Sequence, residues 1–194
     1  MRVLLVYCHP VETSFCAAMR DAVLRGLADR HSVTVLDLYG QGFNPVLCRQ
    51  ERLDYHDITK NQALVADHIA LIQAAEAMVF VYPTWWYGLP AMLKGWFERV
   101  WVPGATFTMP KVGKPIGPLM THVRHCAIVT SYGAPWWWIM LVGDPGVRTI
   151  SRGLRALLNR RCKTFKLAHY LMDSSTPASR TAHLAKIEAR FQSL

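Results

Sequence analysis

Three short segments concentrate the side chains able to hold or transform a ligand: Cys8–Phe15 (CHPVETSF), Pro83–Gly88 (PTWWYG) and Thr130–Gly133 (TSYG). In the first, Thr13 and Ser14 stand at a helix start. Unpaired backbone N–H groups and the helix dipole favour a phosphate there, and the two hydroxyls and His9 can add donors. The same residues also make an ordinary N-cap, and a lone histidine is commonly a structural hydrogen-bonding group. In the second segment, Trp85, Trp86 and Tyr87 offer ring faces, ring edges and backbone amides. Three adjacent aromatic side chains cannot all enter one core, so at least one faces a ligand or a partner. The third offers hydroxyls from Thr130, Ser131 and Tyr132, with Gly133 allowing close backbone approach.

The elements between them must bring these segments together. Val3–Tyr7 is a continuous apolar run and reads as a buried strand, followed by a helix capped by Thr13 or Ser14 and running to about Arg30. Val33–Leu38 is a second strand, and Tyr39–Asp57 a polar, Gly/Pro-containing connection long enough to cover a site. Gln62–Ala75 reads as helix, Met78–Tyr82 as strand and Ala91–Val102 as helix, with Pro90 suited to a first helical turn. Pro103–Thr121, with four prolines, reads as irregular. Cys126–Thr130 is a strand, Val147–Arg161 a helix, Thr164–Leu171 a strand and Thr176–Phe191 a closing helix. Strands alternating with helices of this size predict an α/β fold with a mainly parallel, doubly wound sheet. Five strands point to the order 2-1-3-4-5, a three-layer sandwich with helices on both faces, in a single domain over residues 1–194.

In such a sheet the loops after strands 1, 3 and 4 meet at the switch point, where ligands bind. The three loops suit the phosphate, the flat ring and the ring edge of a flavin mononucleotide. No G-x-G-x-x-G follows the first strand and no G-x-x-x-x-G-K-[ST] occurs anywhere, which disfavours a stably held dinucleotide or a P-loop nucleotide. A single phosphate monoester fits better.

Bulk properties narrow the class further. Hydrophobic residues make up 52% and charged residues 18%, as in a globular protein. No apolar run approaches the roughly 20 residues of a membrane span. The opening MRVLLVYCHP has a five-residue apolar run and no small-residue cleavage site after it, so it reads as a core strand and not an export signal. A cytoplasmic location is expected. Five cysteines without a CxxC pair fit free thiols in a reducing compartment and not a zinc site. The formal charge of +9 raises nucleic acid as a partner, but the basic residues are scattered apart from Arg148–Lys166, which reads as a solvated helix face. No nucleic-acid partner is expected; the field would favour encounter with anionic molecules such as NADPH.

The stretch YPTWWYGLPAMLKGWFERVW resembles the flavodoxin-like NAD(P)H:quinone reductases, the DT-diaphorase group and its shorter bacterial relatives. Pro90, Ala91, Leu93, Lys94, Gly95, Trp96, Glu98, Arg99 and Val100 match that family's P-A-x-L-K-G-W-x-[DE]-R-V, and VLLVYCHPVETSF is similar to its strand-H-P-x-x-x-S-F element. The resemblance covers Met1–Thr108 well and the rest more loosely. It implies bound FMN (FAD being the alternative), NAD(P)H as transient donor, two-electron hydride transfer to quinones or similar aromatic acceptors, and a homodimer with sites at the subunit interface; a ping-pong mechanism is the expected course, donor and acceptor taking the same place in turn. Carried over by position, His9, Thr13, Ser14, Phe15 and Cys16 would surround the phosphate and ribityl chain. Pro83, Thr84, Trp85, Trp86 and Tyr87 would line the ring system, and Thr130, Ser131, Tyr132 and Gly133 its other edge.

The departures are specific. Cys16 replaces a polar residue, Trp85 a smaller one, and TSYG stands where T-T-G-G is usual; no Tyr or His after Gly133 matches the family's hydride-transfer helpers. Trp136, Trp137 and Trp138 follow Pro135 and are not read as a helix core; they either roof the pocket and bind the acceptor or form a dimer contact. Lys94 and Glu98 read as an i,i+4 surface pair and Asp144 with Arg148 as a local pair. Asp54, His56, Asp57 and His68 read as solvated surface, with no metal site. Alternative functions are azo- or nitro-compound reduction, a flavin-binding regulatory subunit of a potassium-efflux-type membrane transporter, and a one-electron carrier, which the basic charge disfavours.

Overall fold

The computed structural model describes residues 1–28, 30–110, 113 and 115–194. The chain runs β1 (Arg2–Tyr7), α1 (Phe15–Leu27), β2 (Ser32–Asp37), α2 (Arg49–Asp54), a 3-10 turn (Ala63–Val65) leading into α3 (Ala66–Ala74), β3 (Ala77–Pro83) and α4 (Ala91–Val100). It continues with β4 (Phe107–Thr108), β5 (Gly117–Pro118), β6 (His125–Ser131), α5 (Trp136–Val142), α6 (Pro145–Arg148), β7 (Lys163–His169) and α7 (Pro177–Gln192). Five strands form one parallel sheet in the order β2-β1-β3-β6-β7, while β4 and β5 pair only with each other, antiparallel. Counted along the chain, that ribbon interposes two short strands between the third and fourth strands of the sheet.

The unbroken apolar runs follow from position. Every residue of β3 is buried, because the strand lies at the centre of the sheet with helices over both faces. One face carries Leu4, Val6, Met78, Phe80, Tyr82 and Ile128 against α3, α4 and residues 145–157. The other carries Val3, Leu5, Tyr7, Val79, Val81 and Val129 against α1 and α7. On α4 the spacing of Leu93, Trp96, Phe97 and Val100 puts all four into the first cluster. Gly95 is fixed by close approach: a Cβ there would lie 2.1 Å from the carbonyl oxygen of Pro45, so the backbone of the long connection rests directly on this helix.

Several expected boundaries change. The expected helix at Val147–Arg161 is not one helix. Pro145–Arg148 is α-helical, Thr149–Gly153 is wound with the wider π spacing, and Leu154–Leu157 is 3-10. Gly153 weakens the helix interior, and the carbonyl of Leu157 accepts from the Met120 amide at 3.2 Å, which draws the last turn toward the core edge. The first helix stops at Leu27 instead of near Arg30, and residue 29 lies outside the described residues. The irregular Pro103–Thr121 segment contains the β4–β5 ribbon; its residues 111, 112 and 114 lie outside the described residues. Trp136–Trp138 open a helix, α5, with Pro135 as its N-cap, but their indoles stay exposed.

Candidate functional site

At the carboxyl ends of β1, β3, β6 and β7 a cleft of about 550 Å³ is lined by His9, Ser14, Phe15, Cys16, Pro83, Thr84, Trp85, Trp86, Ser131, Gly133, Met172 and Asp173. A smaller cavity of about 240 Å³ shares Thr84, Trp86 and Gly133 with it and adds Tyr87, Tyr132, Ala134 and Ile139. The three loops singled out in the sequence therefore meet.

At the β1 end, Ser14 caps α1: its hydroxyl oxygen accepts from the Ala17 amide at 3.1 Å, which leaves its own proton to give. The amides of Phe15 and Cys16 have no acceptor among the described residues. His9 Nδ1 is engaged by its own turn, 3.0 Å from the Val11 amide nitrogen and 3.2 Å from the Val11 carbonyl oxygen, which leaves Nε2 as the ring nitrogen open to a ligand. Thr13 is exposed on the turn before Ser14 and does not line the cleft. Cys16 does, but it is buried, and burial pushes its thiol pKa up; the thiol stays protonated.

The β3 loop is a tight turn. The Gly88 amide donates to the Trp85 carbonyl at 3.0 Å, and both central residues are left-handed, with φ of 48° at Trp86 and 62° at Tyr87. Glycine and asparagine usually take those positions. The turn leaves the Trp86 indole 96% exposed, and the amides of Trp86 and Tyr87 have no acceptor among the described residues. The Trp85 ring stands 5.9 Å from that of His9, linking the first loop to the second.

The β6 loop splits between lining and support. Thr130 is buried and does not reach the cleft; its hydroxyl lies 2.9 Å from that of Thr84 and holds the second loop from behind. The Thr84 amide donates to the Ser131 carbonyl at 2.9 Å. Tyr132 reaches the smaller cavity, and its hydroxyl donates to Asp144 Oδ1 at 2.8 Å. Lys166 Nζ donates to Asp144 Oδ2 at 2.9 Å and to the Tyr170 hydroxyl at 3.2 Å, and the Tyr132 and Tyr170 rings stack 5.0 Å apart. Burial and then the Asp144 charge hold the Tyr132 hydroxyl well above its ordinary pKa. Burial opposes the Lys166 charge, yet Asp144 and Tyr170 outweigh it and raise its pKa. Asp144 thus pairs with Lys166 and not with Arg148 as expected; a left-handed backbone at Asp144 (φ 47°) turns its carboxylate toward β7.

Trp136, Trp137 and Trp138 do not line either cavity; Ile139 is the residue through which α5 does so. Trp138 Nε1 donates to the Tyr87 hydroxyl at 2.9 Å, so Trp138 buttresses the second loop. Met172 and Asp173 are lining residues that the sequence reading missed. They arrive on the turn after β7, where the Met172 amide donates to the Tyr132 carbonyl at 2.9 Å, and nothing in the local sequence marks them. The expected Lys94–Glu98 pair is present. No cluster of three or more potential metal ligands occurs among the described residues.

A cleft that brings helix-start donors, aromatic faces and free backbone amides together can hold a phosphorylated ligand with a flat ring. The chain belongs to the family described by its flavodoxin-like fold, whose model matches residues 1–194. An uncharacterized NAD(P)H oxidoreductase, YcaK of Escherichia coli strain K12, is 35% identical over 108 residues, 55% of either chain. NAD(P)H dehydrogenase (quinone) 1 of Rattus norvegicus is 34% identical over 125 residues, 55% of this chain and 45% of that one. The chain spans about half the length of these curated relatives in the matched regions. Among solved structures, Smu.1420 from Streptococcus mutans UA159 superposes over 100% of both chains with a TM-score of 0.87 and 25% identity. An NAD(P)H:quinone oxidoreductase from Methanothermobacter marburgensis gives 0.79 at 23% identity, over 99% of this chain and 96% of that one.

Proposed function

We propose that the protein is an FMN-dependent NAD(P)H oxidoreductase that reduces quinones or similar aromatic acceptors. The observation that carries this is the convergence of three kinds of group on one cleft. Free α1 amides, the Ser14 hydroxyl and His9 Nε2 suit a phosphate monoester. Trp85 and Trp86 supply aromatic faces, and the unpaired Trp86 and Tyr87 amides suit the acceptor atoms of a flavin ring. Asp173, beside Gly133, can accept from the hydroxyls of a polyol chain.

Bound flavin would supply hydride acceptance from NAD(P)H and two-electron donation to the acceptor. The chain's own part is to hold, orient and shield. Thr130 fixes Thr84, Trp138 fixes Tyr87, and the Asp144–Lys166 pair fixes Tyr132 at the wall of the smaller cavity. No residue is assigned as a proton donor.

The reading extends to one domain over residues 1–194 acting as a homodimer in a reducing, cytoplasmic setting. All five cysteines are free. A groove of about 490 Å³ with Leu47, Tyr55, Phe97 and Trp101 in its wall offers a surface to a second copy. The deciding experiment is an absorbance spectrum of the purified protein with added FMN, followed by anaerobic titration with NADPH and NADH. Uptake of FMN and bleaching by either donor are expected; protein that neither retains nor binds FMN would overturn the reading. FMN bound without turnover on any quinone would favour the transporter-subunit alternative.

A further inference from the structure

We propose that the end of the sheet opposite the cleft carries a second ligand site, which takes a chain of phosphate groups. There, at the amino ends of β6 and β7, a cavity of about 400 Å³ is lined by Arg124, His125, Asn159, Arg161 and Lys163. That volume is in the range of small-molecule sites. Strand β6 runs from His125 at this end to Ser131 at the cleft, so the two sites stand on the order of 20 Å apart. The register of the sheet assembles the cluster: His125 pairs with Lys163, and the Lys163 amide donates to the Arg124 carbonyl at 2.9 Å. The turn before β7 is pinned through one carboxamide. Asn159 Nδ2 donates to the Thr121 carbonyl at 2.7 Å, and Asn159 Oδ1 accepts from the Arg161 amide at 2.9 Å. A held turn thus brings Arg161 to the cavity that Arg124 and Lys163 line.

Charge and an all-polar lining select the ligand. Three cations line one cavity that no carboxylate lines, and like charges so gathered repel one another. Arg124, Arg161 and Lys163 are exposed and make no ion pair among the described residues. The Glu76 carbonyl accepts from the Arg124 amide at 2.8 Å, but the Glu76 carboxylate turns to Arg2, whose amide donates to it at 2.8 Å. His125 feels the same field: burial, then the Lys163 and Arg190 charges, lower its pKa. Its Nδ1 is buried and has no hydrogen-bond partner among the described residues. A bound anion supplies the counter-charge, and guanidinium forks match the oxygens of a phosphate. No lining residue is hydrophobic, so the site reads phosphate charge and not an organic body attached to it. A free oligophosphate and a nucleoside triphosphate share that recognised part. A nucleic-acid backbone spreads over a surface much larger than one such cavity.

The test is isothermal titration calorimetry of the full chain in excess FMN, with inorganic tripolyphosphate, ATP and AMP as probes. Saturable binding of tripolyphosphate is expected, with ATP of similar affinity and AMP weaker by about tenfold or more. Arg161→Gln and Lys163→Gln should each weaken tripolyphosphate binding about tenfold, the loss of one charge-assisted hydrogen bond. Both side chains are exposed, and far-ultraviolet circular dichroism checks that the variants are folded. Ser14→Ala, at the cleft, should leave tripolyphosphate binding unchanged. No saturable binding would overturn the proposal, and so would sulfate that binds as tightly as tripolyphosphate, the mark of unspecific attraction. Binding lost in Ser14→Ala and kept in Arg161→Gln would move the anion to the cleft. ATP that binds much more tightly than tripolyphosphate would refute recognition of the phosphate chain alone. A DNA duplex held more tightly than tripolyphosphate through Arg161 and Lys163 would assign these residues to a nucleic acid. The outcome does not depend on the flavin reading, because the cavity lies at the other end of the sheet.

Discussion

The hydroxyl of Tyr132 donates to the carboxylate of Asp144, twelve positions on, at 2.8 Å and so couples the loop after β6 to the turn between α5 and α6. That carboxylate also holds Lys166 of β7, giving three segments one polar anchor behind the smaller cavity. Tyr132→Phe removes one donor from a largely buried carboxylate and should cost about 1.5–3 kcal/mol of stability. Lys166→Met should cost at least as much, because it leaves the charge without its cation. Urea unfolding midpoints of the two variants, with the double variant completing the cycle, measure both effects; non-additive losses are expected for a shared anchor.

Trp86 and Tyr87 occupy left-handed backbone, which costs a side-chain-bearing residue roughly 1–2 kcal/mol each. The Trp86 indole is almost wholly solvated, so Trp86→Gly gives up little packing and relieves that strain. Thermal unfolding should shift upward, by about 0.5–1 kcal/mol once the freedom of glycine in the unfolded chain is subtracted. FMN affinity, measured by fluorescence titration, should fall at the same time. A variant less stable than the parent would refute the strain argument.

Gly95→Ala tests the contact between α4 and the long connection. Its new methyl would meet the Pro45 carbonyl, which is backbone and cannot swing aside. A loss of about 1–3 kcal/mol is expected, read by urea unfolding, with faster proteolysis within residues 39–57.

Acid should destabilise the protein through His169 and His183. Their rings lie 5.3 Å apart, and His169 Nδ1 and His183 Nε2 are buried without a hydrogen-bond partner among the described residues. Burial, then the neighbouring His169, lowers His183 to about 4, and burial lowers His169 too. A depressed histidine favours the neutral form in the folded state. Its contribution is therefore complete above the unfolded value near 6.5 and is lost as pH falls toward 4. Between neutrality and about pH 4.5, protonation linked to His183 alone should remove about 2 kcal/mol of stability. His183→Leu should flatten that part of the profile of urea midpoint against pH.

The sheet was legible because β1, β3 and β6 are buried on both faces, and burial of that kind writes an unbroken apolar run. The loops were legible because hydroxyls at a helix start and consecutive aromatics are unusual locally. What stayed hidden depends on distant partners. Residues 145–157 have helical spacing, but the pairing of Leu157 with Met120 reshapes the last turn, and no local pattern encodes it. Thr130 and Thr84 look alike in sequence, yet Thr84 lines the cleft from the loop after β3 while Thr130, still within β6, is buried and props it. Asp144 sits four residues before Arg148, the spacing of a local pair, and only its left-handed backbone sends it to Lys166 instead.

The distribution of the seven indoles gives the molecule a built-in optical probe. Trp96 is fully enclosed and Trp101 nearly so, whereas Trp85 and Trp86 line the cleft and Trp136, Trp137 and Trp138 lie on α5, all five facing water. Emission from the native protein should therefore be dominated by solvated indoles at long wavelength, and unfolding should change its colour little. A ring system that absorbs in the blue, bound beside Trp85 and Trp86, would accept the excitation of the exposed indoles and darken the protein. Occupancy of the cleft should thus be readable from the protein's own light, with no label attached.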